Sequence, residues 1–303
     1  MSFTSEVKNE VSKSEVNELE IIAELSAIIS TGAIIENDIK ITTENASVAR
    51  RIFNFVKELY KINPLITIRK GINYKKKNLY IIQIKDKNIL SYLGINENSK
   101  IPLEYIIDDE ECLRAYLRGL FLMTGSINDP KKSRYHLEFL VENKEYAEFI
   151  NDSLNKYQLN SKVLKRETKY MIYIKEAEKI SDFLRIINAF NAVMYYEDIR
   201  IYRDHKNMTN RLNNCEQANV DKMIETANNQ IKDIELINDK VGLELLNEKE
   251  EIVAQYRKKY KEVSIQELSE IISLETGKKI TKSGVYHRLK KISELAEKLK
   301  NNC

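Results

Sequence analysis

Lysine, arginine, serine, tyrosine and histidine crowd one short stretch near the C-terminus, TGKKITKSGVYHRLKK, and these are the side chains that reach phosphate oxygens and base edges. Val285, Leu289, Ile292, Ala296 and Leu299 recur at the helical period, which predicts a helix from Lys282 to Leu299 with those residues inward. Its outward face near the N-terminus then carries Lys282, Ser283, Tyr286, His287 and Lys290, where the first turns of a recognition helix present base-reading groups. Arg288 and Lys291 flank them and suit phosphates, as do Lys278 and Lys279 in the turn before. The competing reading is a solvated basic face on an ordinary surface helix, and His287 taken alone reads as a surface histidine.

Two further basic clusters stand at equivalent places in the first two thirds of the chain. Arg69, Lys70, Lys75, Lys76 and Lys77 form one, and Lys162, Lys165 and Arg166 the other. A pair of basic β-ribbons could straddle a duplex, giving secondary DNA contacts; equally, lysines on exposed strands guard sheet edges against aggregation. Other chemistry finds little support. The chain has three histidines, no glycine-rich phosphate loop and no nucleophile beside an obvious base. Cys112, Cys215 and Cys303 are too far apart for zinc spacing and read as reduced thiols, so no metal or other cofactor is expected. Net charge is only +3, which makes any affinity for nucleic acid a matter of local patches. The start, MSFTSEVKNEV, lacks an apolar signal core and no run approaches membrane-spanning length, so a cytoplasmic protein is expected.

The elements that must position these groups fall into two regions. Glu111 to Thr124 reads as a helix on Leu113, Tyr116, Leu117, Leu120 and Met123, with Ala115 and Gly119 leaving room for another backbone. Glu20 to Gly32 carries a small-residue stripe, Ala23, Ser26, Ala27 and Ser30, and both helices stop at Thr-Gly. The pair is expected to pack together at the centre of an internal duplication. After each helix come strands, a helix, a hairpin and a short helix, an α+β unit occurring twice, at about 18–107 and 108–200. LYIIQIKDKNILSYL (Leu79–Leu93) matches KYMIYIKEAEKISDFL (Lys169–Leu184) apart from one inserted residue. Ala33 to Thr43 reads as a strand pair or one strand with a turn, and a turn rich in Ser126, Asn128, Asp129 and Pro130 is expected directly after Thr124-Gly125. Residues 201–216, rich in asparagine, read as a linker. The rest, 217–303, reads as all-α: long amphipathic helices, a capping box at Ser264 and Glu267, and a helix-turn-helix over about 264–299 with Gly277 in its turn.

LRGLFLMTG (Leu117–Gly125), and more loosely ELSAIISTG (Glu24–Gly32), resemble the motif of LAGLIDADG homing endonucleases. In that family the acidic residue before the final glycine holds the divalent cation that activates water. Here those positions are Thr31 and Thr124, with Asp38 and Asp129 close by but off the motif, so no catalytic residue is assigned and cleavage is not expected. Over nearly the whole chain, GSINDPKKSRYHLEFLVEN, NRLNNCEQANVDKMIETANNQIKDIE and SIQELSEIISLETGKKITKSGVYHRLKKISELAEKL resemble the WhiA family. That resemblance implies a degenerate LAGLIDADG domain followed by a helix-turn-helix domain. It implies a DNA-binding regulator tied to sporulation in filamentous actinobacteria, and to cell division and chromosome segregation in other Gram-positives. KSGVYHR carries the family's recognition-helix signature with Tyr286 where asparagine is expected, which bears on base preference. The expected partners are double-stranded DNA and, on the protein side, RNA polymerase or another regulator. A monomer is expected, since the duplication already supplies two-fold symmetry. Two readings compete: a working metal-dependent endonuclease, and a protein-interaction scaffold with incidental DNA affinity.

Overall fold

The computed structural model describes residues 2–70, 78–95 and 99–301. The chain divides into two compact units, Met1–Asp204 and His205–Cys303.

The first unit begins with α1 (Phe3–Val11), capped by the Ser2 hydroxyl and burying Phe3, Val7 and Val11. Then come α2 (Glu18–Gly32), β1 (Ala33–Ile35), β2 (Ile39–Thr43), α3 (Ala46–Tyr60), β3 (Leu65–Lys70), β4 (Asn78–Ile84) and α4 (Ile89–Tyr92). The second copy supplies α5 (Glu110–Thr124), β5 (Gly125–Ile127), β6 (Leu137–Val141), α6 (Lys144–Lys156), β7 (Lys162–Arg166), β8 (Lys169–Ile174) and α7 (Ala177–Ile186). Both sheets are antiparallel and have the same order, β1-β2-β4-β3 and β5-β6-β8-β7. The duplication expected from the sequence is present strand for strand. Ala33 to Thr43 resolves as a strand pair turning at residues 36–38.

The turn expected straight after Thr124 begins three residues later. Gly125, Ser126 and Ile127 first pair with Phe139, Glu138 and Leu137 as β5. Ser126 and Gly125 are turn formers in isolation, but ladder bonds to a strand already half-buried outweigh that local preference. The Thr-Gly endings do not work as left-handed caps either: Gly125 sits at φ −68 and ψ 138, and the chain leaves α2 through an extended Ala33. At Gly125 space is the reason for the glycine, because a Cβ there would strike the Phe121 ring and backbone, whereas one at Gly32 would meet only the flexible end of Met123.

α2 and α5 pack face to face. A Cβ at Gly119 would run into the backbone carbonyl of Glu24, so the missing side chain is what brings the two helices together. Ala23, Ser26, Ala27 and Ser30 are all buried in this contact. Inside it lies an ion cluster that periodicity did not reveal. Glu24 is 0% exposed and binds both Arg51 (Nε–Oε1 2.5 Å, Nη2–Oε2 2.9 Å) and Arg118 (Nε–Oε2 2.7 Å). Arg118 also reaches Glu20 at 2.8 Å, and Arg51 donates to the backbone carbonyls of Ser12 (3.2 Å) and Ser14 (2.7 Å). Burial works to lower the Arg118 guanidinium, but pairing with Glu24 and Glu20 overcomes it and leaves the pKa raised.

Lys8 on α1 is a different case. Its ammonium lies 5.7 Å from the Phe121 ring centroid, and burial pulls its pKa down to about 8. Between pH 8 and the ordinary lysine value near 10.5, the unfolded chain holds a proton that the folded chain has released. Stability contributed by this group therefore rises with pH through that window and is lowest at and below pH 8. Lys8→Met is expected to raise the unfolding free energy by about 1–2 kcal/mol at pH 7 and by much less at pH 10. Urea unfolding of parent and variant at both values reads the difference directly; equal gains at both would show that packing, not desolvation, is responsible.

α8 (Phe190–Lys240) contributes its beginning to the first unit and its end to the second. Residues 201–216, expected as a linker, lie inside this helix. The second unit continues through α9 (Glu248–Lys259), α10 (Ile265–Thr276) and α11 (Lys282–Asn301). Its core joins Ile234, Ile237, Val253, Ala254, Leu268, Ile272, Val285, Leu289, Ile292 and Ala296. Among the described residues no helix is long and apolar enough to cross a membrane.

Candidate nucleic-acid interface

The turn between α10 and α11 is built by local chemistry. Ser264 and Glu267 form the expected capping box at the start of α10. Gly277 ends that helix at φ 68, a left-handed position where a side chain would be strained. Ser273 Oγ accepts from the Ile280 backbone amide at 3.0 Å, and Thr281 Oγ1 accepts from that of Gly284 at 3.1 Å, so α11 starts from a hydroxyl cap. Arg257, 1% exposed, donates to the Val263 carbonyl at 2.7 Å and fixes the approach to α10. Sequence reasoning missed Arg257; a lone arginine one residue beyond Tyr256 carries no periodic signal.

With Val285, Leu289, Ile292 and Ala296 locked inward, the other side of α11 faces solvent. Ser283, Tyr286, His287 and Lys290 follow i, i+3, i+4 and i+7, so they share one face, and all four are exposed. The Tyr286 and His287 rings meet edge to face at 5.7 Å. Lys278, Lys279 and Lys282 are exposed in the turn and at the helix start. Arg288 is half-buried, while Lys291 turns toward Glu250 at 3.8 Å and Lys290 lies 3.8 Å from Glu294. The structure thus gathers most of the expected set and turns Arg288 and Lys291 toward its margins.

The basic strands of the first unit divide differently from the sequence cluster. Strand register places Arg69 on the sheet face away from the core helices, in the same row as Leu79. Lys162 and Arg166 share the corresponding face in the second copy, and Lys165 points to the opposite side. Lys70 ends β3, and Lys75, Lys76 and Lys77 lie outside the described residues. Between these cations the outward rows mix polar residues, among them Lys40, Thr42, Thr67, Gln83, Ser126 and Glu138, with apolar ones. The apolar ones include Ile34, Leu65, Ile81, Leu140, Leu164, Met171 and Tyr173, with Ile34 60%, Leu65 56% and Leu164 50% exposed.

At the ends of the central helices, a cavity is lined by Thr31, Thr124, Ile34, Leu140, Tyr146 and Lys169. The Thr31 hydroxyl bonds back to the Ala27 carbonyl, and that of Thr124 to Leu120 at 3.2 Å. Asp38 accepts from Gln83, and Asp129 from the Lys131 amide and the Tyr195 hydroxyl, so both off-motif acids are engaged in turns. Burial tends to raise Asp129, but these donors and Lys132 hold it below the usual carboxylate value. Two neutral hydroxyls bonded to their own helices do not fit a hard divalent cation, which takes carboxylate oxygens. Among the described residues no cluster of three or more His, Cys, Asp or Glu side chains could hold a metal.

Comparison with known proteins follows the same lines. Residues 18–96 match the WhiA N-terminal LAGLIDADG-like domain, 113–206 the WhiA LAGLIDADG-like domain, and 209–296 the WhiA C-terminal HTH domain. Proteins named "Probable cell division protein WhiA" from Staphylococcus aureus strains JH9 and Newman are 43% identical over 311 residues, covering 99% of this chain and 98% of theirs. The crystal structure of full-length DUF199/WhiA from Thermatoga maritima is 26% identical, with a TM-score of 0.59 over 98% of this chain and 99% of that one. Two degenerate LAGLIDADG-like halves followed by a helix-turn-helix, matched in sequence almost end to end, make this chain a member of the WhiA family.

Proposed function

We propose that the protein is a DNA-binding regulator of transcription that acts in cell division and chromosome segregation and does not cleave DNA. The observation that carries this reading is the solvent face of α11, where Ser283, Tyr286, His287 and Lys290 stand together on a helix held rigidly from behind. Such groups read base edges, while Lys278, Lys279 and Lys282, with Arg288 and Lys291 at the margins, supply phosphate contacts. The non-enzymatic part rests on Thr31 and Thr124, whose hydroxyls replace the carboxylates a metal-dependent nuclease needs. One chain per DNA site is expected, in the cytoplasm and on the nucleoid.

A second reading concerns the first unit: it docks a protein partner, RNA polymerase or another regulator, through the outward faces of its sheets. The exposed apolar side chains Ile34, Leu65 and Leu164 on those faces favour this, because a phosphate backbone offers them little to bury against. Replacing Arg69, Lys162 and Arg166 with alanine is then expected to leave the salt dependence of DNA binding unchanged; a slope smaller by about one per residue would return these strands to phosphate contact.

The test of the main reading is a genome-wide map of bound DNA together with a supercoiled-plasmid assay in Mg²⁺. Discrete sites sharing one short motif, with the plasmid left intact, are expected. No enriched site would end the regulator reading, and chelator-sensitive nicking would replace it with the endonuclease.

A further inference from the structure

We propose that the middle of α8 is a second DNA-reading element, an amide- and cation-bearing helix face that lies against a groove of duplex DNA; this rests on the DNA-binding reading above. Every residue from 204 to 222 is exposed. A helix without tertiary packing is held by intrinsic propensity and by pairs between neighbouring turns, and a sequence serving only that end is rich in Ala, Leu, Glu and Lys. This stretch instead carries Asn207, Asn210, Asn213 and Asn214, each a weaker helix former than alanine. No acid lies between Asp204 and Glu216. Among the described residues, the four asparagine side chains have no hydrogen bond, and Lys206 and Arg211 have no ion pair. The helix loses stability by holding these groups and recovers nothing within the chain.

At 100° per residue, Lys206, Asn210, Asn213 and Asn214 fall on one side, with Asn207 and Arg211 at its edge and Gln217, whose amide donates to Asp221 at 2.8 Å, closing its C-terminal end. Met208 and Leu212 fall on the other, 63% and 55% exposed. The polar side runs for roughly 16 Å, at about 1.5 Å per residue, and an α-helix fits the major groove. Asparagine and glutamine bond bidentately to adenine, and arginine and lysine to guanine or phosphate. An acidic protein would meet the two cations but would leave the run of amides unused. A second copy of the chain would use the Met208–Leu212 side instead.

The experiment uses the full chain and the duplex it retains best from sheared genomic DNA. Asn210→Ala with Asn214→Ala raises helix propensity, so weaker binding cannot be blamed on melting, and circular dichroism verifies this. Dissociation constants and footprints are measured for the parent, this double variant, Arg211→Ala, and Met208→Ser with Leu212→Ser. The double variant is expected to bind about 10- to 100-fold more weakly and to protect fewer base pairs, keeping the contribution of α11. A parent that binds while the double variant keeps its affinity and footprint overturns the inference alone. A change of oligomeric state in Met208→Ser/Leu212→Ser, with the amide variant still binding DNA normally, also overturns it and assigns the helix to self-association. A parent that retains no duplex overturns the DNA-binding reading along with this one.

Discussion

Glu24→Ala is expected to destabilise the N-terminal unit by about 3–5 kcal/mol, because it leaves the buried Arg51 guanidinium with no counter-charge and Arg118 with Glu20 alone. Arg51 and Arg118 are 5% and 1% exposed, and both lean on this one carboxylate from elements far apart in the chain. For a unit of this size each kcal/mol shifts the melting temperature by about 2–4 °C, so a fall of roughly 6–20 °C is expected by calorimetry. Glu24→Leu combined with Arg51→Met and Arg118→Met removes charge and counter-charge together and should recover most of the loss. The contrast between the two variants is the informative part. A single substitution costing under about 1 kcal/mol would mean that water reaches the cluster and that it does not hold the helices together.

Lys282→Ala with His287→Ala is expected to weaken binding to the best duplex by about 10- to 100-fold while weakening binding to a scrambled duplex much less. Both side chains are exposed and neither touches the core built on Val285, Leu289 and Ile292, so the fold is expected to be unaffected. Lys278→Ala with Lys279→Ala should act differently. It should weaken all sequences about equally and reduce the salt slope by about one for each phosphate that is no longer neutralised. Competition binding at two salt concentrations separates the two patterns. Site preference left intact in the first variant would remove α11 from base reading.

The helix-turn-helix was legible because everything that builds it is local. An apolar period, a Ser264–Glu267 box and a glycine at 277 are within a few residues of what they act on. The duplication was legible for a similar reason, since each strand and helix carries its own periodicity. The Glu24 cluster was not, although Glu24 and Arg118 stand out as charges within apolar helices; nothing local says that residues 94 positions apart will meet. Strand register was equally hidden, and it decides that Lys165 faces away from Lys162 and Arg166. The asparagine run in α8 looked like a linker because its propensities are poor, yet the helix continues through it.

α1 belongs to neither repeat, and its Thr4 hydroxyl both donates to the Ile127 carbonyl at 2.8 Å and accepts from the Ile127 amide at 3.0 Å. Ile127 lies on β5, an outer strand of its sheet, so this early helix waits on the ribosome for a mate made 123 residues later. Until then the nascent first half has α2 without α5 and Glu24 without Arg118. Synthesis therefore delivers the first sheet and the Glu24–Arg51 pair while the apolar faces that α1 and α2 turn to the second copy still wait for it, and those faces stay uncovered until the chain beyond residue 127 emerges.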